Sequence, residues 1–513
     1  MGYISHPRIV PDKVEERKYQ ITLARDCLNV NTLVVLPTGL GKTIIALNTA
    51  VSVLDKKKKV LLMAPTKPLV EQHAFVFSGL LLNTKIGVMN GLMKAETRKK
   101  IVEENDLIIS TPQCIANDLE KKMYGMKDFG LVIYDEAHRG TGNYSYVTVA
   151  EHCTPANRAM GLTASPGSDI KKVEEVCRNL GFRKIAVRTE DDPDVAPYIH
   201  DTYIKRIEVN MPKELLEITD ILKKLLDHYF TELCDLRLTT ENWPASMTHM
   251  LMIGESVQKR LKRGERSLTL YRGLTVQSVC IKILHAINLA ETQGMSSLRS
   301  YMSKLNEDAL APKGNKGGKE LVARPEYLEA WNIVSESKIE HPKVSKLMSL
   351  VSQLLSTDGS SKVMVFTQYR DTCDVLVEKL SLINGAKVGK LIGQSNGGLR
   401  QKEQIEILEE FRKGIRNVIV ATSVGEEGLD VASTNAVIFY EPVPSEIRTI
   451  QRRGRTGRKS DGEVFVLVAK GTMDEVFENS SKKKEDLMRS RLEKLNRELS
   501  LLSKEDQRKL KDF

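Results

Sequence analysis

Four short apolar runs, Leu33–Leu36, Val60–Ala64, Leu107–Ile109 and Leu131–Tyr134, constrain the first two hundred residues most strongly. Each has the length and apolar continuity of a strand buried on both faces. Each ends in a polar or glycine-rich turn and is followed by a stretch of helical spacing. The pattern predicts a doubly wound α/β domain, in which chemistry collects beyond the carboxyl ends of parallel strands. From about Glu208 the period changes. Glu214–Leu236, Met247–Arg263 and Val276–Leu305 carry apolar residues at helical spacing, which predicts a helical insertion closed by the loop Ala311–Lys319. A second α/β block opens at Lys362–Thr367, with further strand-like runs at Val418–Ala421, Ala436–Tyr440 and Val464–Val468. The expected class is therefore α/β: two doubly wound parallel-sheet lobes with a helical insertion between them. The expected division is lobe 1 at 1–205, the insertion at 206–335, lobe 2 at 336–478 and a charged helical tail at 479–513, docked on a lobe or on another chain.

Composition narrows the class. At roughly 100–200 residues per domain, 513 residues predict about three domains. A net charge of +10 permits a polyanionic partner without requiring one. No apolar run reaches the ~18 residues of a membrane span, and Met1–Pro11 lacks the apolar core of a secretory signal. The seven cysteines include no CxxC pair and the nine histidines no HExxH, so neither a zinc ribbon nor a disulfide framework is expected. Reduced thiols and a cytoplasmic protein without a membrane partner are expected instead.

Three segments carry chemistry. Leu36-Pro37-Thr38-Gly39-Leu40-Gly41-Lys42-Thr43 follows a strand and opens a helix, the context of a phosphate-binding loop. Small residues let backbone N–H groups approach phosphate oxygens at a helix N-terminus. Lys42 would contact the β/γ-phosphates and the Thr43 hydroxyl would ligate Mg²⁺. Leu36 stands where the strict pattern has its first glycine. Asp135-Glu136-Ala137-His138 lies at the tip of an apolar strand: Asp135 is placed to hold Mg²⁺, Glu136 to polarise water, and His138 to report nucleotide state. Gln451-Arg452-Arg453-Gly454-Arg455-Thr456-Gly457-Arg458 supplies planar, permanently charged forks, with Arg455 and Arg458 as candidate fingers on a transferred phosphoryl group.

In this order the motifs resemble those of superfamily 2 helicases, over nearly the whole chain. Arg17-Lys18-Tyr19-Gln20 looks like the adenine-reading glutamine motif, with Gln20 as the reader and Arg17 beside it. The resemblance makes Thr66, Lys67, Thr111 and Pro112 strand-binding residues of lobe 1. It makes Thr163 and Ser165, with His138, the residues that couple hydrolysis to unwinding. In lobe 2 it assigns Thr367, Gln368, Thr422 and Ser423 to strand contact, Gly428 and Asp430 to nucleotide sensing, and Gln451 to catalysis. The phosphate loop, DEAH, the insertion, SVGEEGLD and QRRGRTGR together look like the archaeal Hef and Fanconi anaemia group M helicases. That resemblance implies ATP and Mg²⁺ as cofactors and 3′→5′ translocation. It implies action on forked or branched DNA, including stalled forks and four-way junctions, with single-stranded DNA also bound. Fork-repair proteins or a separate nuclease would be its protein partners. It also implies a thumb-like insertion gripping branched duplex. Archaeal members often carry a nuclease with an ERKxxxD site. The ERK here, Glu16-Arg17-Lys18, lies inside the glutamine motif, and the nuclease is expected to be absent from this chain.

Within the insertion, residues 259–272 hold six basic residues against one acid. Lys259, Arg260 and Arg263 are the candidate duplex-phosphate contacts. Tyr271 and Trp331 could stack on a base, although core packing is the expected role of both. Two rivals remain: a duplex-RNA-stimulated translocase, and an inactive clamp for branched nucleic acid, which the joint presence of Lys42, Asp135, Glu136, Gln451, Arg455 and Arg458 disfavours.

Overall fold

The computed structural model describes residues 2–189, 192–198, 202–311, 314–357, 360–393, 398–422, 434–443 and 462–501. Lobe 1 is built on a seven-stranded parallel sheet. Its strands are β1 (Thr32–Val35), β2 (Lys59–Met63), β3 (Ile86–Met89), β4 (Leu107–Ser110), β5 (Phe129–Asp135), β6 (Arg158–Thr163) and β7 (Lys184–Val187), in the spatial order β3-β4-β2-β5-β6-β1-β7. Helices α1 (Lys18–Asn29), α2 (Lys42–Leu54), α3 (Lys67–Leu80), α4 (Ala95–Glu104), α5 (Pro112–Glu120), α6 (Ser145–Glu151) and α7 (Ile170–Leu180) cover its two faces. The sheet separates two apolar cores. Val34, Leu62, Ile109, Ile133 and Leu162 point into one, and Leu33, Leu61, Ile108 and Val132 into the other. Burial on both faces is why these strands read as unbroken apolar runs. Close packing also fixes Gly161 on β6, where a Cβ would stand 2.4 Å from the Phe182 ring.

Lobe 2 has a six-stranded sheet in the order β10-β11-β9-β12-β13-β8. Its strands are β8 (Thr202–Val209), β9 (Val363–Phe366), β10 (Val388–Leu391), β11 (Val418–Ala421), β12 (Ala436–Phe439) and β13 (Gly462–Ala469). The boundary expected at 205/206 needs correction. β8 pairs in parallel with β13 over eight residues, from Thr202↔Gly462 to Val209↔Ala469. The end assigned to lobe 1 is thus an edge strand of lobe 2. The insertion, α8 (Lys213–Asp235), α9 (Met247–Lys262), α10 (Leu268–Thr292), α11 (Met295–Leu310), α12 (Lys316–Val322) and α13 (Pro325–Glu336), leaves from and returns to lobe 2. Lobe 2 continues through α14 (Pro342–Thr357), α15 (Arg370–Leu380) and α16 (Gln401–Arg412).

α10 is the central helix of the insertion. By length and composition alone it is apolar enough to cross a membrane, but Val276, Val279, Cys280, Ile283 and Ala290 are buried in the insertion's core. The expected tail is part of one long C-terminal helix, Met473–Leu501, which starts directly after β13. Its Met488, Leu492 and Leu495 are buried in the second core of lobe 1, so a helix that begins on lobe 2 ends against lobe 1.

Candidate nucleotide site and nucleic-acid surface

Strand order sets the site. Along the carboxyl edge of the first sheet the ends follow as β4, β2, β5, β6, β1. Thr111, Thr66, Asp135, Thr163 and the Gly39–Thr43 loop therefore stand in a row, at about 4.8 Å per strand. The residues expected to hold phosphate and to couple hydrolysis occupy one end, and those expected to hold a nucleic-acid strand occupy the other.

At the loop, Gly39 (φ +91°) and Gly41 (φ +79°) adopt left-handed backbone that favours glycine. Gly41 caps α2, and the Lys42 ammonium donates to the Leu36 carbonyl at 3.1 Å. The loop is braced by Tyr19, whose hydroxyl donates to the Leu40 carbonyl at 2.7 Å. Gln20 Nε2 reaches the same carbonyl at 3.1 Å. The Gln20 Oε1 atom is buried and has no hydrogen-bond partner, and nor has Thr38 Oγ1. A buried amide oxygen lacking a donor is costly, and it fits a ligand that brings an N–H, as an adenine does. Arg17 is occupied differently: it pairs with Glu15 at 2.8 Å and lies 5.2 Å over the Tyr198 ring. Tyr19, within the motif, and Tyr198, far from it in sequence, hold it in place, with their rings 5.7 Å apart.

Asp135 is buried at the end of β5. Burial pushes its carboxyl pKa up, but His73 and then Lys42 pull it below the ordinary range. His73 Nε2 lies 2.8 Å from Asp135 Oδ2. His73 comes from α3, and a single histidine on a helix face gave no local signal of this contact. Tyr146 was likewise unforeseen: its hydroxyl donates to the backbone oxygens of Asp135 at 2.5 Å and Met63 at 3.2 Å. Glu136 sits in left-handed backbone, φ +48°, a strained state for a non-glycine residue and of a kind that clusters at functional sites. From it runs a chain of contacts: Glu136 Oε2 to His138 Nδ1 at 3.4 Å, then His138 Nδ1 to Thr163 Oγ1 at 3.0 Å. Thr163 Oγ1 in turn donates to the Ser165 carbonyl at 2.9 Å. Ser165 Oγ then meets Met488 Sδ of the C-terminal helix at 2.9 Å.

The expected strand-binding residues divide. Thr66 and Lys67 are exposed at the start of α3, and Thr111 is half-buried at the start of α5 beside the buried Pro112. In lobe 2 Thr367 is corrected: its side chain is fully buried and its hydroxyl donates to Glu441 at 3.3 Å, so it is not presented to a ligand here. Glu441 also accepts the backbone N–H of Gln368, and Gln368 Nε2 reaches the Pro442 carbonyl at 3.4 Å. Thr422 is buried at the end of β11. Ser423, Gly428, Asp430, Gln451, Arg455 and Arg458 lie outside the described residues.

In the insertion, Lys259 and Arg263 are exposed with Lys262 and Arg266. Arg260 is bound by its neighbour Glu265, at 2.8 Å through Nε, so its charge is already shared. Arg272 is held by Glu232 and Glu320, as a tie between helices. Trp331 packs partly buried against the core, as expected, whereas Tyr271 is half-exposed.

Comparison with known proteins agrees with this architecture. Residues 13–168 match the type III restriction enzyme res-subunit family, 343–460 the helicase conserved C-terminal domain, and 214–341 the helical bundle of a putative ATP-dependent RNA helicase. The helicase domain of Hef from Pyrococcus furiosus is 40% identical, with a TM-score of 0.68, over 91% of this chain and 98% of that one. The chain belongs to the Hef family of superfamily 2 helicases. A putative ATP-dependent RNA helicase of Methanocaldococcus jannaschii is 39% identical over 96% of this chain and 63% of its own length. The mouse Fanconi anemia group M protein homolog is 30% identical over 94% of this chain and 26% of its own length. The chain thus spans under two thirds of the longer Hef relatives it matches.

Proposed function

We propose that the chain is an ATP-dependent DNA translocase and helicase acting on forked or branched DNA in the 3′→5′ direction, within replication-fork repair. The observation that carries the reading is the chain of contacts from Glu136, next to the buried Asp135, to His138, Thr163 and Ser165, on the same sheet edge as the phosphate loop. These contacts would carry a change at the γ-phosphate away from the site. Gln20 would read adenine with its partnerless Oε1, and Lys42 would hold the β/γ-phosphates. Thr43 and Asp135 offer the hard oxygen donors that Mg²⁺ takes, and the ion would stabilise charge on the transferred phosphoryl group. Glu136 would orient the attacking water. Arg455 and Arg458 would complete the site from lobe 2. Thr66, Lys67 and Thr111 would hold strand phosphates without regard to sequence.

The test is ATP hydrolysis with and without forked DNA. Wild type is expected to be fork-stimulated, and Glu136→Gln to bind ATP but lose about 10²-fold or more in kcat. Near-normal turnover by that variant would remove Glu136 from the role. A second reading, duplex RNA as activator, draws on the names of the Methanocaldococcus relative and the matching helical-bundle family. Stronger stimulation by duplex RNA than by forked DNA would select it.

A further inference from the structure

The insertion carries an aromatic surface that the motif reading does not use. Trp243 lies in the turn between α8 and α9 and is 51% exposed, high for so large an apolar side chain. It is not loose. The indole stacks on the His249 ring, centroids 4.8 Å apart and planes 6° from parallel. His249 is itself buried, fixed by Thr239 Oγ1 at 2.6 Å from its Nε2 and by the edge of Phe230. Burial lowers the His249 pKa, which favours the neutral ring. His249 covers one indole face, and about half of the Trp243 side chain stays open to solvent. Met247, Leu251 and Met252 in the first turns of α9 are exposed as well, which leaves this end of the helix rich in exposed apolar side chains.

This apolar end of α9 is continuous with positive charge. Counting from His249 along α9 in steps of three and four gives Met252, Ser256, Lys259 and Arg263, so these share one stripe. All four are exposed, and Lys262 and Arg266 extend the basic end. Glu255, also exposed, stands four residues before Lys259 on the same side of α9, and is the one acid among these positions of the helix. From residue 249 to 263 the stripe runs about 21 Å at 1.5 Å per residue. That is roughly the rise of six nucleotides. A surface with phosphate-binding charge at one end and a rigid stacking face at the other fits a nucleic acid that is paired at the first and unpaired at the second.

We propose that Trp243, supported by His249, stacks on an unpaired base at the branch point of a DNA whose duplex arm lies on Lys259, Lys262 and Arg263. This rests on the reading of the chain as a branched-DNA enzyme. Stacking of a base on an aromatic side chain is sequence-tolerant, which suits a device that recognises structure.

The chain has two tryptophans, so Trp331→Phe leaves Trp243 as its sole indole reporter. Titration with a fork bearing unpaired arms, with single-stranded DNA, and with blunt duplex of equal length is expected to quench its fluorescence with the first two and not the third. Trp243→Ala is expected to weaken fork binding about tenfold and leave blunt-duplex binding within twofold, with Trp243→Phe intermediate. Fork binding without quenching, equal quenching by blunt duplex, or equal loss on fork and duplex overturns the proposal. Unchanged affinity of Trp243→Ala for every DNA also overturns it, and assigns this surface to a protein partner. In each of these cases fork-stimulated ATPase of the wild type keeps the wider reading standing. Absence of both DNA binding and stimulation in the wild type overturns the two together.

Discussion

Gly41 has no room for a methyl group. A Cβ there would stand 2.5 Å from Gln20 Nε2, and the residue's φ of +79° penalises any L side chain. Gly41→Ala is therefore expected to displace Gln20 and distort the loop, raising the KM for ATP about tenfold or more and eroding preference for ATP over GTP. An unchanged KM ratio for the two nucleotides would show that Gln20 does not read the base. The sequence marked Gly41 and Gln20 separately, through a loop pattern and a glutamine motif. Their contact was not legible, because it arises only when α1 packs on α2. The same limit hid His73 and Glu441. Each is a lone polar residue whose partner is supplied by a different strand end. The Glu136→Gln test above belongs to this scale too, and its strained φ of +48° was invisible in sequence.

Among elements, the junction of α10, α14 and the C-terminal helix is held by buried charge. Lys343 Nζ lies 2.5 Å from Asp474 Oδ2, both side chains wholly shut from solvent. Lys343 also donates to the Thr292 carbonyl at 3.0 Å, and Met473 N–H donates to Glu291 at 2.9 Å. Lys343→Met leaves Asp474 buried and unpaired, and is expected to cost about 3–5 kcal/mol in urea unfolding. The double variant Lys343→Met/Asp474→Asn should recover part of that, since Asn can still accept the Ala469 N–H. A full additive loss would argue that the pair is not coupled. His341, beside it, is pushed down to about 3 by burial and by the Lys343 charge. It stays neutral when folded but binds a proton near pH 6.5 when unfolded. The unfolded chain thus holds more protons between about pH 3 and 6.5, and stability should fall as pH drops through that window, by up to ~1.4 kcal/mol per unit. Burial raises the pKa of Asp474, which acts with opposite sign. Comparing pH-dependent unfolding of wild type and His341→Gln isolates the histidine: the variant should show the shallower acid slope.

Element legibility followed unbroken apolar sequence. Strands buried on both faces, such as β1, β2, β9 and β11, announced themselves. β3 and β10 lie at sheet edges with alternating exposure, and β8 alternates polar with apolar residues. All three escaped notice, as did the short edge strand β7 and the central β6, which is buried but whose apolar run is broken by Arg158, Gly161 and Thr163; with β8 went the true attachment of the insertion.

On the scale of the whole molecule, among the described residues the C-terminal helix that follows β13 carries lobe 2 onto lobe 1. The helix presses Met488 onto Ser165, at the end of the chain of contacts from Glu136. It is also tied by Asn496 Oδ1, which accepts the Ile185 N–H at 3.0 Å, and by Arg491, which donates to the Ser168 carbonyl at 2.9 Å. Met488→Ala should destabilise the protein by about 2–5 kcal/mol and lower the number of base pairs opened per ATP more than it lowers ATP turnover. Equal effects on both would confine the helix to a structural part.

The eight-residue ladder between β8 and β13 has a further effect. A single peptide cut in the loop after Leu310 would yield two polypeptides, the first ending in the insertion but carrying β8, the second carrying β13 and the helix seated on lobe 1. Each half would own strands of the other's sheet or core. The nicked protein would then migrate as two bands under denaturing conditions while still behaving as one particle in solution. The two halves, produced separately, would have to find each other to finish either lobe.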